Sequence, residues 1–237
     1  MSRKIAALLM LLGIKFLLIE ALILPIQQAH AVEAEIEIEQ CGGENAKWTE
    51  NSEGSLKETI TYKIIDEADK EEWEEDAVVD GIERWDDHLY DFERVGSDEA
   101  AADIRVTIVD FEDLADITAE ILGREEEESL SRTGIVGGVG GIYCSNKGDG
   151  IIELGWTIIG IGGGLLDTDD AIENVAAHEL GHALGLGHAS YGSDLMYGSS
   201  DGHTLRTSKV CPSNLDIKAL AAEESPYSEA DWQIQNC

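Results

Sequence analysis

Eleven consecutive residues constrain this chain more than anything else in it: His178-Glu179-Leu180-Gly181-His182-Ala183-Leu184-Gly185-Leu186-Gly187-His188. The local pattern predicts a helix from Asp169 or Asp170 to about Leu184, with acidic residues in the first turn, at the positive end of the helix dipole. On that helix His178 and His182 stand one turn apart on one face, so both imidazoles can reach a single ion at about 2.0–2.1 Å. A helix continued past Leu184 would carry His188 away from that ion. Gly185 stops it: without a Cβ it can take the left-handed conformation that turns the chain and returns His188 as a third ligand. Three neutral nitrogens leave one coordination position for water, which is the arrangement of a catalytic rather than a structural zinc. Glu179 is then expected as the general base, since zinc lowers the pKa of water to about 7 and a neighbouring carboxylate can pass that proton to a leaving amine.

The rest of the chain is read around this helix. Ile60, Tyr62 and Ile64 alternate with Thr61, Lys63 and Ile65 over Thr59–Ile65, predicting a strand. Trp73, Ala77, Val78, Ile82, Trp85 and Leu89 recur every three or four residues from Lys70 to about Leu89, predicting a helix with these side chains on one face. A second strand follows over Asp103–Asp110, and the strand-helix-strand order suits a parallel pairing. Residues 111–132 read as a solvated insertion or frayed helix, and short β segments follow over Gly134–Cys144 and Gly150–Trp156. Gly137-Gly138-Val139-Gly140-Gly141 lacks the pattern of a phosphate loop, so its glycines are expected to permit a bulge or a close backbone approach. A last helix begins at Pro212 or Ser213 and carries Leu215, Ile217, Leu220 and Ala221.

The N-terminus is set apart from the fold. Arg3 and Lys4 precede an apolar stretch from Ile5 to Leu24 and then Ala29-His30-Ala31, the order of a signal peptide cleaved after Ala31. Lys15 and Glu20 interrupt the stretch and it is long for this role, so an uncleaved anchor is the alternative. Either way the bulk of the chain is expected outside the cytoplasm. Residues 32–57 form an acidic leader, with Glu33, Glu35, Glu37 and Glu39 alternating with apolar residues as an edge strand or a disordered segment, and 58–237 is expected to be the catalytic domain. The formal charge of the whole chain is −33. That field repels nucleic acid and anionic membranes, and suits a solvated surface in a salty medium. Cys41, Cys144, Cys211 and Cys237 suggest two disulfides; three connectivities are open, of which Cys41–Cys144 with Cys211–Cys237 is favoured.

Val175 through His188 resembles the zinc helix of the metzincins, nearest to the catalytic domain of the matrixins, and Ser193-Asp194-Leu195-Met196-Tyr197 resembles the Met-turn of that family. The resemblance extends more loosely over about residues 58–223. It implies an α+β, zincin-like fold: a twisted mixed five-stranded sheet, about three helices, and a zinc cleft between the main part and a small C-terminal subdomain. It also implies that Met196 floors the site. Gly140, Gly141 and Ile142 would lie on an edge strand where extended substrate pairs, with Tyr197 beside it.

Departures from the family are informative. Matrixins block zinc with a propeptide cysteine, and Cys41-Gly42 is a faint echo of it for which disulfide pairing is the better reading. His30, His88 and His203 are too few for a second, structural zinc. Gly198 stands where a proline commonly follows the Met-turn tyrosine. Asp110, Asp113, Asp167 and Asp169 are candidate calcium ligands, although no loop has EF-hand spacing. The expectation is thus a secreted, monomeric zinc endopeptidase acting on proteins or peptides. The alternatives are a noncatalytic acidic surface protein with a structural zinc, and a zinc amidase acting on a small or cell-wall substrate.

Overall fold

The computed structural model describes residues 34–237 apart from 42, 51–54, 87, 97–100, 123–136, 146, 148, 165, 199–207, 223, 231 and 236. The expected signal peptide and His203 lie outside the described residues. No helix among those described is long and apolar enough to cross a membrane.

The alternating apolar segments build a five-stranded mixed sheet. β4 (Thr59–Asp66) pairs in parallel with β5 (Asp91–Arg94) and β6 (Ile104–Asp110), β6 pairs in parallel with β8 (Ile152–Ile161), and β7 (Gly138–Cys144) closes the row antiparallel to β8. The spatial order is β5-β4-β6-β8-β7, which leaves β7 as an edge. β8 is ten residues long, further than its expected end at Trp156. Both of its faces are covered, so it reads as a continuous apolar run rather than an alternating one.

Each face of the sheet has its own partner. Ile104, Val106, Ile108, Ile159 and Ile161 join the main core with helices α1 (Glu72–Glu83) and α3 (Asp169–Ala183). Val109, Trp156 and Ile158 pack with Leu114 of α2 (Leu114–Leu122), which follows a 3₁₀ turn at Phe111–Asp113 within the expected insertion. α1 and α3 meet at Gly81, where a Cβ would lie 2.6 Å from the Glu173 carbonyl oxygen and 2.7 Å from the Ala176 Cβ. Trp73 does not join this contact, contrary to the helical pattern, and is 44% exposed. It lies eight residues before Gly81, roughly 12 Å along the axis, in the first turn of α1. Arg84, just past α1, fixes the pair: it ion-pairs with Glu173, and Nη1 donates to Asn174 Oδ1 at 2.6 Å and to the Val210 carbonyl at 2.9 Å. Four α-helices are described in all, the last being α4 (Asn214–Ala219), capped by Ser213 Oγ accepting from the Leu215 and Asp216 N–H groups.

The acidic segment is neither an edge strand nor detached. β1 (Ala34–Ile38) is the central strand of a second sheet, pairing antiparallel with β9 (Leu186–Ala189) on one side and β10 (Tyr227–Glu229) on the other. Ala34, Ile36 and Ile38 enter the main core while Glu35 and Glu37 face outward. Short strands β2 (Gln40–Cys41) and β3 (Glu44–Asn45) then form a hairpin leading to the buried Trp48. The favoured cysteine pairing is present: Cys41–Cys144 and Cys211–Cys237, with Cα separations of 5.3 and 5.7 Å. The first ties this segment to the end of β7, and the second fastens the C-terminal tail.

Candidate metal centre

Thr168, not Asp169 or Asp170, is the N-cap of α3, its hydroxyl accepting from the Ala171 N–H; the two aspartates occupy the first turn. Nearly the whole helix is buried, because α1, β7 and β8 pack around it. At its far end Gly185 has φ +101°, the left-handed conformation expected of it, and the chain turns straight into β9. His178, His182 and His188 are thereby brought together, their ligating nitrogens all within 4.8 Å of one another.

Their hydrogen bonds select the tautomer. His178 Nδ1 lies 2.7 Å from the Leu195 carbonyl and His182 Nδ1 lies 2.8 Å from that of Leu186. A carbonyl only accepts, so each Nδ1 carries the proton and each Nε2 presents a lone pair. Burial lowers the pKa of His182 well below the ordinary value, reinforced by the other two histidines, and burial lowers that of His188 against an upward pull from Glu37. Neutral imidazole is the ligating form, and three of them at one point fit a zinc ion, which takes His₃ sets readily.

Glu179 is 6% exposed, and burial raises its pKa to about 8 although the Gly140 N–H bonds its carboxylate. The glycine run of β7 makes that approach possible. A Cβ on Gly140 would lie 2.2 Å from the Glu179 carbonyl oxygen, and one on Gly138 would lie 2.7 Å from Glu179 Cγ. Gly141 faces the other way, where a Cβ would lie 2.9 Å from the Trp156 ring, and Ile142 packs with the main core. Gly140, Gly141 and Ile142 therefore lie on β7, the edge strand among the described residues, with Gly140 beside Glu179, and Tyr197, in the Met-turn, is joined to Ala189 by a β-bridge.

Met196 is fully buried, its thioether against the α-carbon of Gly181 on α3, where a Cβ would lie 2.2 Å from Sδ. Three residues in or against this turn have roles that the sequence did not disclose. Asp194 is buried at its base: Oδ1 accepts from the Met196 N–H at 2.8 Å, and Oδ2 accepts from Ser213 Oγ at 2.7 Å and from Trp232 Nε1 at 2.6 Å. Asp216 packs against it, its Oδ2 accepting from the Ser213 N–H at 2.7 Å, and burial together with the Asp194 charge raises its pKa well above the usual range. Gly198, third, lies flat against the His188 ring; a Cβ there would lie 2.2 Å from Cγ and 2.4 Å from Nδ1. The absence of the usual proline thus has a local reason, since any side chain would displace the third histidine.

The four candidate calcium ligands are not gathered. Among the described residues the histidine triad is the one group placed to hold a metal. Asp110 is instead paired at 2.5 Å with Lys70, whose ammonium also donates to the Ile161 carbonyl at 3.2 Å.

Residues 143–222, from the end of β7 through α4, match the matrixin family model. Among solved structures the chain is similar to myroilysin, with 16% identity over 60% of this chain and 52% of that one and a TM-score of 0.34. It is also similar to archaemetzincin from Methanopyrus kandleri, with 11% identity over 73% of this chain and 96% of that one and a TM-score of 0.44. The chain spans about half the length of the myroilysin structure. No curated protein matches it. The metzincin resemblance, nearest to the matrixins, is borne out in the part of the chain that carries the site, and it supports a zinc metallopeptidase in general.

Proposed function

We propose that this matrixin-like metallopeptidase is a secreted endopeptidase in which His178, His182 and His188 hold one zinc ion and Glu179 is the general base. The observation that carries the reading is the juxtaposition of Glu179 with both the histidine cluster and β7, an edge strand among the described residues. The chemistry a zinc ion supplies when bound is acidification of water and polarisation of a carbonyl.

The chain's own residues do the rest. An extended peptide pairs with β7 along Gly140, Gly141 and Ile142, leaving the Gly140 N–H to Glu179, and lays its scissile bond across the cleft beside Tyr197. Glu179 takes the proton from the attacking water on its carboxylate. The Gly140 N–H orients the carboxylate throughout. Glu179 then releases the proton to the leaving amine. Met196 gives the histidines an apolar floor. Two disulfides support an oxidising, extracytoplasmic location.

Incubation of the purified chain with a diverse peptide library, with and without a zinc chelator, tests the reading. Chelator-sensitive cleavage is expected, and Glu179→Ala is expected to reduce it by about a thousandfold while zinc stays bound. Undiminished cleavage by Glu179→Ala, or none by the parent chain, would overturn the assignment.

A further inference from the structure

Contacts from the N-terminal segment converge on the turn that ends α3. β1 pairs with β9 at Ile36 with Ala189 and at Ile38 with Leu186, on either side of His188. The Glu39 N–H donates to the Gly185 carbonyl at 2.8 Å. The buried Trp48 indole donates from Nε1 to the Ala183 carbonyl at 3.2 Å. Ala46 closes the remaining side: a Cβ on Gly185 would lie 3.3 Å from both its Cβ and its carbonyl oxygen. Cys41, in the middle of the segment, is bonded to Cys144 at the end of β7.

These contacts answer two physical needs. The last carbonyls of a helix have no partners within it, and here Trp48 supplies one for Ala183. Glycine in the left-handed region turns the chain but, having no side chain to pack, does not fix the direction in which the chain leaves. His178 and His182 inherit their directions from α3. The direction of His188 has to be set from outside that helix, and residues 36–48 touch the turn at Ala183, Gly185, Leu186 and Ala189.

We propose that the segment Ala34–Trp48 is a positioning brace for His188, setting how tightly the three histidines hold their metal. The proposal rests on the zinc reading above. It places a determinant of metal affinity more than a hundred residues away in sequence, in a segment outside the span that matches the matrixins.

The test compares the parent chain with Trp48→Phe, which keeps an aromatic ring but loses the indole donor, and with a Cys41→Ser/Cys144→Ser variant, which frees the segment from β7. Trp73→Phe, on an exposed tryptophan of α1, is the control. Zinc affinity is measured by competition with a chromophoric chelator, ligand geometry by the visible spectrum of the cobalt-substituted protein, and folding by thermal melting without metal. Trp48→Phe and the double variant are each expected to lose about tenfold in zinc affinity and to change the cobalt spectrum. Trp73→Phe should do neither. Affinities within twofold of the parent in both variants, with unchanged spectra, would overturn the brace, as would a loss fully matched by metal-free destabilisation. If Trp48→Phe melts far below the control, the double variant decides. A parent chain that binds no zinc would overturn the zinc reading instead.

Discussion

The three histidines are held in two different ways. His178 and His182 project from the most deeply buried of the described helices, with each Nδ1 anchored on a backbone carbonyl. His188 sits on a four-residue strand after a glycine turn, exposed, with the α-carbon of Gly198 against its ring and the N-terminal segment beneath it. The helix-borne pair is determined by spacing within one element, so it tolerates change elsewhere. The third member depends on elements distant in sequence and is the weak point of the constellation.

Substitutions can break or sharpen that contrast. Gly198→Ala should have the largest effect, costing about 2 kcal/mol because its Cβ must overlap the His188 ring, and it should lower zinc affinity; melting and chelator competition measure the two. Gly185→Ala should cost less, about 1–2 kcal/mol, since alanine is strained at φ +101° and Ala46 is already at 3.3 Å. A third substitution probes the helix-borne side through the Met-turn, whose Leu195 carbonyl holds His178. Asp216 has a raised pKa, so its contribution to stability is whole below the unfolded-state value near 4 and is lost as pH rises towards the folded-state value. Asp216→Asn imitates the protonated form and should flatten that decline, seen as a smaller fall in Tm with rising pH. The smallest effect is expected from calcium removal: a calcium-selective chelator should leave zinc affinity and melting unchanged, because Lys70 already neutralises Asp110.

What the sequence disclosed follows the same division. The triad, Glu179 and Met196 fall within nineteen consecutive residues, where helical spacing and a single glycine fix the geometry. The strand-helix-strand order and the edge position of β7 were likewise legible, from alternation and from the family likeness. The structural role of residues 34–48 was not. Their partners around the end of α3 and β9 lie some 135 to 155 positions away, as in the Glu35 N–H bond to Ser190 Oγ and the Trp48 bond to Ala183, and no local period encodes a pairing over such a distance. Asp194 was hidden for a different reason: an aspartate in a turn reads as solvated, and only Ser213 and Trp232, brought in from the C-terminal tail, make it a buried anchor. Trp73 shows the converse, a residue in helical phase whose neighbour helix lies elsewhere.

Lys70 has a consequence for where such a chain can work. Its ammonium joins Asp110, at the end of β6, to the Ile161 carbonyl, at the end of β8, so two neighbouring strands are pinned by a cation that is part of the polypeptide. A dissolved ion in that role would leave whenever its concentration fell. A tethered one cannot be diluted, and this corner of the sheet keeps its shape whether the surrounding fluid is hard or soft.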